Sequence, residues 1–168
     1  RHYRSRHYRS RTRYSRRHYT RQANRVPREV REMPKYRNTN GQRVFVFSPR
    51  LKMWAAYNEE GRQVAGGRAN GGAHYCSDLK RACRTPLGVF RVRSKGTAAC
   101  KSSKFPLGRG GAPMPYCMFF RGGYAIHGSP YISNRNSSHG CIRVTTSAAR
   151  WLHQNFMKHG TKVVVLPY

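Results

Sequence analysis

The stretch IHGSPYISNRNSSHGCIRV, residues 126–144, carries two His-Gly pairs, one Cys and no acidic residue. It reads as strand, loop, strand. His127 closes one strand, YISNRNSS loops out, and Cys141 opens the neighbouring strand. Two side chains distant in the chain then meet across adjacent strands. A thiol must lose its proton to attack a carbonyl, and a neighbouring imidazole is the usual agent. Gly140 permits unusual dihedrals and close approach of a substrate. Backbone N–H groups around His139, Gly140 and Cys141 are candidates for an oxyanion hole. Arg143, two residues after the Cys, points the same way as Cys141 on a strand and suits a substrate carboxylate.

The base in such a pair needs a third group to fix its tautomer. The last acidic residue of the chain is Asp78, so residues 79–168 supply no side-chain carboxylate. A backbone carbonyl is the expected substitute. The same scarcity excludes paired-carboxylate glycoside hydrolysis and magnesium or calcium sites. A Ser-His-Asp triad would have to draw on Glu59, Glu60 or Asp78.

The chain has 168 residues, with 34 Lys+Arg against 5 Asp+Glu and a formal net charge of +29. Such a field favours an anionic partner: nucleic acid, anionic lipid or a carboxylate-rich wall polymer. Residues 1–41 form a basic tail and linker. RHYRS occurs twice in succession, and Tyr3, Tyr8, Tyr14 and Tyr19 are interleaved with arginines. With no aliphatic residue before Ala23, this segment cannot bury a core and reads as disordered alone. No apolar run approaches the about 20 residues of a membrane span. The chain opens without Met, which fits a leader already removed.

Beyond Gln42 the pattern is mainly β. RVFVFSP and KMWAAY are short apolar runs, and Asn58-Glu59-Glu60-Gly61 turns the chain into RQVAGG. TPLGVFRVRSKG alternates Val89, Arg91 and Arg93 against Phe90 and Val92, as in a half-exposed strand. MPYCMFFRGGYAIHG reads as a hairpin turning at Gly122-Gly123. One helix is expected, capped by Thr146 or Ser147, striped by Ala148, Trp151, Leu152 and Phe156, and ended by Gly160. TKVVVLPY closes the domain as a buried strand. The expected fold is a β-sandwich or open barrel over residues 42–168, with one or two helices.

IHG followed by SHGCIRV closely resembles the signature of L,D-transpeptidase catalytic domains. TPLGVFRV, MPYCMFF and GTKVVV resemble further strands of that family, so the likeness spans roughly residues 42–168. The Cys-rich middle is similar to a subset called enhanced-entry proteins. The resemblance implies a peptidoglycan stem peptide as acyl donor, Cys141 as nucleophile and His127 as base. It implies the Gly128 carbonyl as the orienting group and a supporting role for His139. Arg143 matches a residue that lines the family's donor site. Ser138, Tyr116 and Met114 are placed with the substrate-binding residues. No cofactor and no metal are implied, and a His-His-Cys zinc site lacks the close ligand pairs of known zinc motifs. The expected location is the periplasm or cell envelope.

Four further cysteines remain. Cys76 with Cys83 and Cys100 with Cys117 are the preferred pairs of three connectivities, because each closes a short local loop. They would brace residues 67–83 and the lid-like residues 94–111. A rival reading keeps the fold as a catalytically weak or inactive scaffold whose basic tail grips anionic cell-wall polymer, lipopolysaccharide, a host surface or nucleic acid, the last not expected as a partner of the enzyme.

Overall fold

The computed structural model describes residues 32–168. The basic tail, up to residue 31, lies outside the described residues. Among the described residues, nine strands form one mixed sheet. In chain order they are β1 (Val44–Ser48), β2 (Met53–Tyr57), β3 (Gln63–Asn70), β4 (Gly88–Arg91), β5 (Ser94–Lys95), β6 (Met118–Arg121), β7 (Tyr124–Ser129), β8 (Ile142–Thr145) and β9 (Lys162–Val165). Across the sheet they run β4-β9-β1-β2-β3-β8-β7-β6-β5. β1 with β9 and β7 with β8 are parallel. The other pairs are antiparallel.

The period-two pattern decides which side chains meet. Phe45 and Phe47 of β1, Trp54 and Ala56 of β2, and Val163 and Val165 of β9 fill the inner core. The intervening Val44, Val46, Ala55, Tyr57 and Val164 bury on the other face, with Met33. Residues ahead of Gln42 therefore pack on the sheet: the Tyr57 hydroxyl donates to the Pro34 carbonyl at 2.6 Å. Burying each such large side chain stabilises the fold by about 1.5–3 kcal/mol.

The sheet curls. β4 and β5 are neighbours in the chain but stand at opposite ends of the strand order. Val92 donates to Thr161 beside β9, and Arg93 donates to Phe119 of β6. The alternating stretch 88–95 is thus not one strand, because the chain changes pairing partner between Val92 and Arg93. Phe90 and Phe120 meet across this seam with ring centroids 5.4 Å apart. Among the described residues, a mainly β, curled-sheet architecture with one α-helix results, as the sequence pattern led us to expect.

The helix α1 (Thr146–Trp151) packs against β7 and β8 and runs into a π-helical turn, Leu152–Phe156. Its cap is Thr145, not Thr146 or Ser147: the Thr145 Oγ1 accepts from the Ala148 N–H at 3.2 Å. Nor does Gly160 end it. The Met157 N–H closes the turn on the Leu152 carbonyl at 2.7 Å, and the Gly160 N–H donates to Val92 instead. The wider turn keeps Leu152 and Phe156 in the core. Among the described residues, no helix is long and apolar enough to cross a membrane.

Candidate active site

β7 and β8 run parallel with Ile126 opposite Ile142, His127 opposite Arg143 and Gly128 opposite Val144. Alternation sends Ile126, Ile142 and Val144 into the inner core. Their neighbours Ala125, His127, Cys141 and Arg143 therefore face the other way. That face carries a cavity of about 400 Å³ lined by Met114, His127, Ser138, His139, Cys141 and Arg143, among others. Residues 130–140 loop over between the strands, so the motif's two ends come together. A second hollow of about 350 Å³, lined by Arg43, Arg91, Lys158 and Lys162 among others, holds no cysteine.

His127 is 6 % exposed, and its Nδ1 lies 2.8 Å from the Gly128 carbonyl. A carbonyl only accepts, so Nδ1 carries the hydrogen and Nε2 keeps a lone pair. Burial holds the imidazole below its ordinary range. The Gly128 carbonyl opposes this and the Arg143 charge adds to it. The His127 imidazole is therefore held toward its neutral form. Burial pushes the Cys141 thiol up, against the lowering effects of the Ala125 N–H and Arg143. The Cys141 sulfur also lies 3.7 Å from the Gly123 carbonyl. Arg143 is half-buried and reaches the Ser137 hydroxyl at 3.4 Å.

The turn ahead of Cys141 is held from several sides. The Ser138 hydroxyl donates to the Cys141 carbonyl at 2.6 Å and accepts from the Gly140 N–H at 3.1 Å. Thr85 Oγ1 donates to the Gly140 carbonyl at 2.8 Å and accepts from the Gly72 N–H at 3.0 Å. Gly140 has φ +134°, and a Cβ there would collide with the Tyr124 ring. A Cβ on Gly128 would stand 2.9 Å from the Thr146 Cα, so the strand can lie against α1 only without a side chain.

Two expectations are corrected here. The Gly140 N–H is bound to Ser138 and is not free to meet a substrate oxygen. Tyr116 does not line the cavity. Its backbone is in the left-handed region at φ 57°, and its ring packs on the core, edge-on to His153 at 5.6 Å. The site is also not devoid of acid, because Asp78 Oδ2 lies 2.7 Å from His139 Nε2. That contact spans 61 residues, and no spacing in the sequence announces it. Phe105, which lines the cavity and stacks on His139, likewise carries no sequence signal.

The remaining cysteines form two disulfides, Cys76–Cys83 and Cys100–Cys117. Cys141 is left as a free thiol. The ligand atoms of Cys76, Asp78 and His139 lie within 4.8 Å of one another. The disulfide removes the Cys76 thiolate, so Asp78 and His139 stand as an acid–base pair rather than a metal-binding set.

A family model described as the L,D-transpeptidase catalytic domain, YkuD, matches residues 41–165. The chain belongs to the L,D-transpeptidase catalytic-domain family. Solved L,D-transpeptidases share its fold. One from Xylanimonas cellulosilytica, residues 123–326, superposes with a TM-score of 0.66 and 27 % identity, covering 82 % of this chain and 66 % of that one. One from Stackebrandtia nassauensis gives 0.62 and 16 %, covering 81 % and 60 %. L,D-transpeptidase 3 from Mycobacterium tuberculosis, solved with a faropenem-derived adduct, gives 0.58 and 20 %, covering 74 % and 60 %. The chain thus spans about three fifths to two thirds of those structures. No curated protein matches it. L,D-transpeptidases as a family act on peptidoglycan stem peptides, and here the matched region contains every residue that lines the cavity on the face of β7 and β8.

Proposed function

We propose that this L,D-transpeptidase domain transfers an acyl group from one peptidoglycan stem peptide through a thioester on Cys141. The observation that carries the reading is the tautomer of His127. A buried imidazole with Nδ1–H on the Gly128 carbonyl offers only Nε2 to the cavity it shares with the one free thiol among the described residues.

In this reading, Nε2 of His127 takes the Cys141 proton as the sulfur forms a bond to the carbonyl carbon of the third stem residue. The Cys141 amide and neighbouring dipoles face the oxyanion. The bond to the fourth residue, D-Ala, then breaks, and the imidazolium returns its proton to the leaving amine. Arg143 holds a carboxylate of the donor. An amine of a second stem attacks the thioester, forms the new amide and frees the thiolate. Main-chain groups do what a carboxylate does in a serine triad, which reconciles this chemistry with a strand pair carrying no acid.

The paired cysteines and the family's wall substrate support a place outside the cytoplasm. Residues 1–37, with 14 basic and two acidic residues, would add retention on anionic envelope polymer. Their removal should weaken that retention, most visibly at low salt. The test of the catalytic reading is release of D-Ala from a stem tetrapeptide. Wild type should release it, and His127→Gln should slow release by about 10²–10⁴-fold. Equal rates in the two proteins would refute the assignment.

A further inference from the structure

The acylation step described above uses His127 and leaves the second imidazole of the cavity without a task. His139 is held as a base would be. Cys76 and Cys83 close a short loop, tightened by backbone bonds between Cys76 and Arg81 at 2.8 and 3.4 Å. Asp78 sits inside that loop and accepts from His139 Nε2 at 2.7 Å. The bond to His139 holds the Asp78 carboxyl below its usual range. A carboxylate oxygen accepts, so Nε2 carries a hydrogen, and the neutral ring has its lone pair at Nδ1. The Phe105 ring lies flat on the imidazole, centroids 4.1 Å apart and planes 7° apart.

The two histidines are thus tied through opposite nitrogens, one to a carbonyl and one to a carboxylate. They also differ in access. His127 is 6 % exposed, whereas the His139 side chain is 32 % exposed. Once a donor acyl group fills the cavity, His139 is the imidazole that a molecule arriving from solvent meets first. Among the described acidic residues, only Asp78 reaches this cavity's lining. A carboxylate beside an imidazole stabilises the imidazolium that proton uptake creates.

Building on the thioester reading, we propose that His139 is the base of the second half-reaction, and that Asp78 is its positioning residue. The acceptor is a primary amine. Its nitrogen bonds to the thioester carbon while His139 takes one of its protons. The carbon–sulfur bond breaks, and Cys141 leaves as the thiolate. The proton returns from the imidazolium to the thiolate or to water.

The test combines a stem tetrapeptide donor with an amine-bearing tripeptide acceptor. Intact-protein mass spectrometry reads the acyl-enzyme, and chromatography reads the new amide. Asp78→Asn keeps an oxygen for His139 Nε2 and removes only the charge. We expect amide formation to fall by about tenfold, more than D-Ala release falls, with acyl-enzyme accumulating. His139→Ala should lose about 100-fold in transfer and recover in part when imidazole is added, which a packing defect would not do. Acylated wild type with variants that match its transfer, or no recovery with imidazole, would overturn the assignment alone. Wild type that takes no acyl group would overturn the thioester reading and this assignment together.

Discussion

His127 and Arg143 stand directly opposite each other on the parallel strands β7 and β8. The guanidinium disfavours the imidazolium, adding to the larger effect of burial. Both effects act on the protonated form, so His127 stays neutral below the ordinary imidazole pKa of about 6.5. The acid limb of D-Ala release should therefore lie below that value. Arg143→Gln removes one lowering influence, so its acid limb should move to higher pH, and the KM for the donor should rise. A pH profile of kcat/KM for both proteins checks this. An unmoved limb would mean that the charge is not felt at His127.

Thr85 joins the turn before Cys141 to the loop after β3. Its hydroxyl donates to the Gly140 carbonyl and accepts from the Gly72 N–H, and both bonds are buried. Thr85→Val keeps the shape and strands both groups. We expect it to cost about 1–3 kcal/mol in unfolding free energy. Thr85→Ser, which keeps the hydroxyl, should cost less. Thermal denaturation of the pair distinguishes the hydrogen bonds from packing.

Gly140 stands next to Cys141 at a φ of +134°, facing the Tyr124 ring. A methyl group is excluded by both the backbone and the ring. Gly140→Ala should lower stability by roughly 1–3 kcal/mol and should slow acylation more than Gly122→Ala does. Gly122 has positive φ but open space around it, so comparing the two separates backbone strain from collision at the site.

The two disulfides close loops of different length, with sequence separations of 7 and 17. Chain-entropy reasoning gives the longer loop more stabilisation, about 3 kcal/mol. Replacing Cys100 and Cys117 together by Ala should therefore depress the melting temperature more than replacing Cys76 and Cys83. The shorter loop carries Asp78, so its loss should register in transfer to the acceptor more than in melting. Differential scanning calorimetry with the transfer assay reads both.

The parts legible in the sequence are those written in local periodicity. The hairpin at Gly122-Gly123 and the strand ahead of Cys141 follow from alternation and glycine placement, and they suffice to put His127 and Cys141 on one face. A backbone carbonyl as partner of His127 follows from the lack of acid downstream, and the family resemblance implies that it is that of Gly128. What stayed hidden depends on contacts distant in the chain. The break at Val92 arises because one segment pairs with β9 and the next with β6. Thr145 caps the helix because β8 ends there, a boundary that Thr146 and Ser147 mimic. Tyr116 turns inward through a left-handed backbone that its identity does not announce. Asp78 reaches His139 only because a disulfide loop and the Ser138 turn fold against each other. The backbone bond from Ala73 to the Ser138 carbonyl, 2.8 Å, marks that meeting.

The most direct measurement is the mass of the intact protein after brief exposure to a stem tetrapeptide, followed by mapping of the modified residue. We expect a gain equal to the tripeptide acyl group, located on Cys141, with one D-Ala released per protein and no gain in Cys141→Ala. An unmodified wild-type protein, or an acyl group borne by any other residue, would contradict thioester formation at this sulfur.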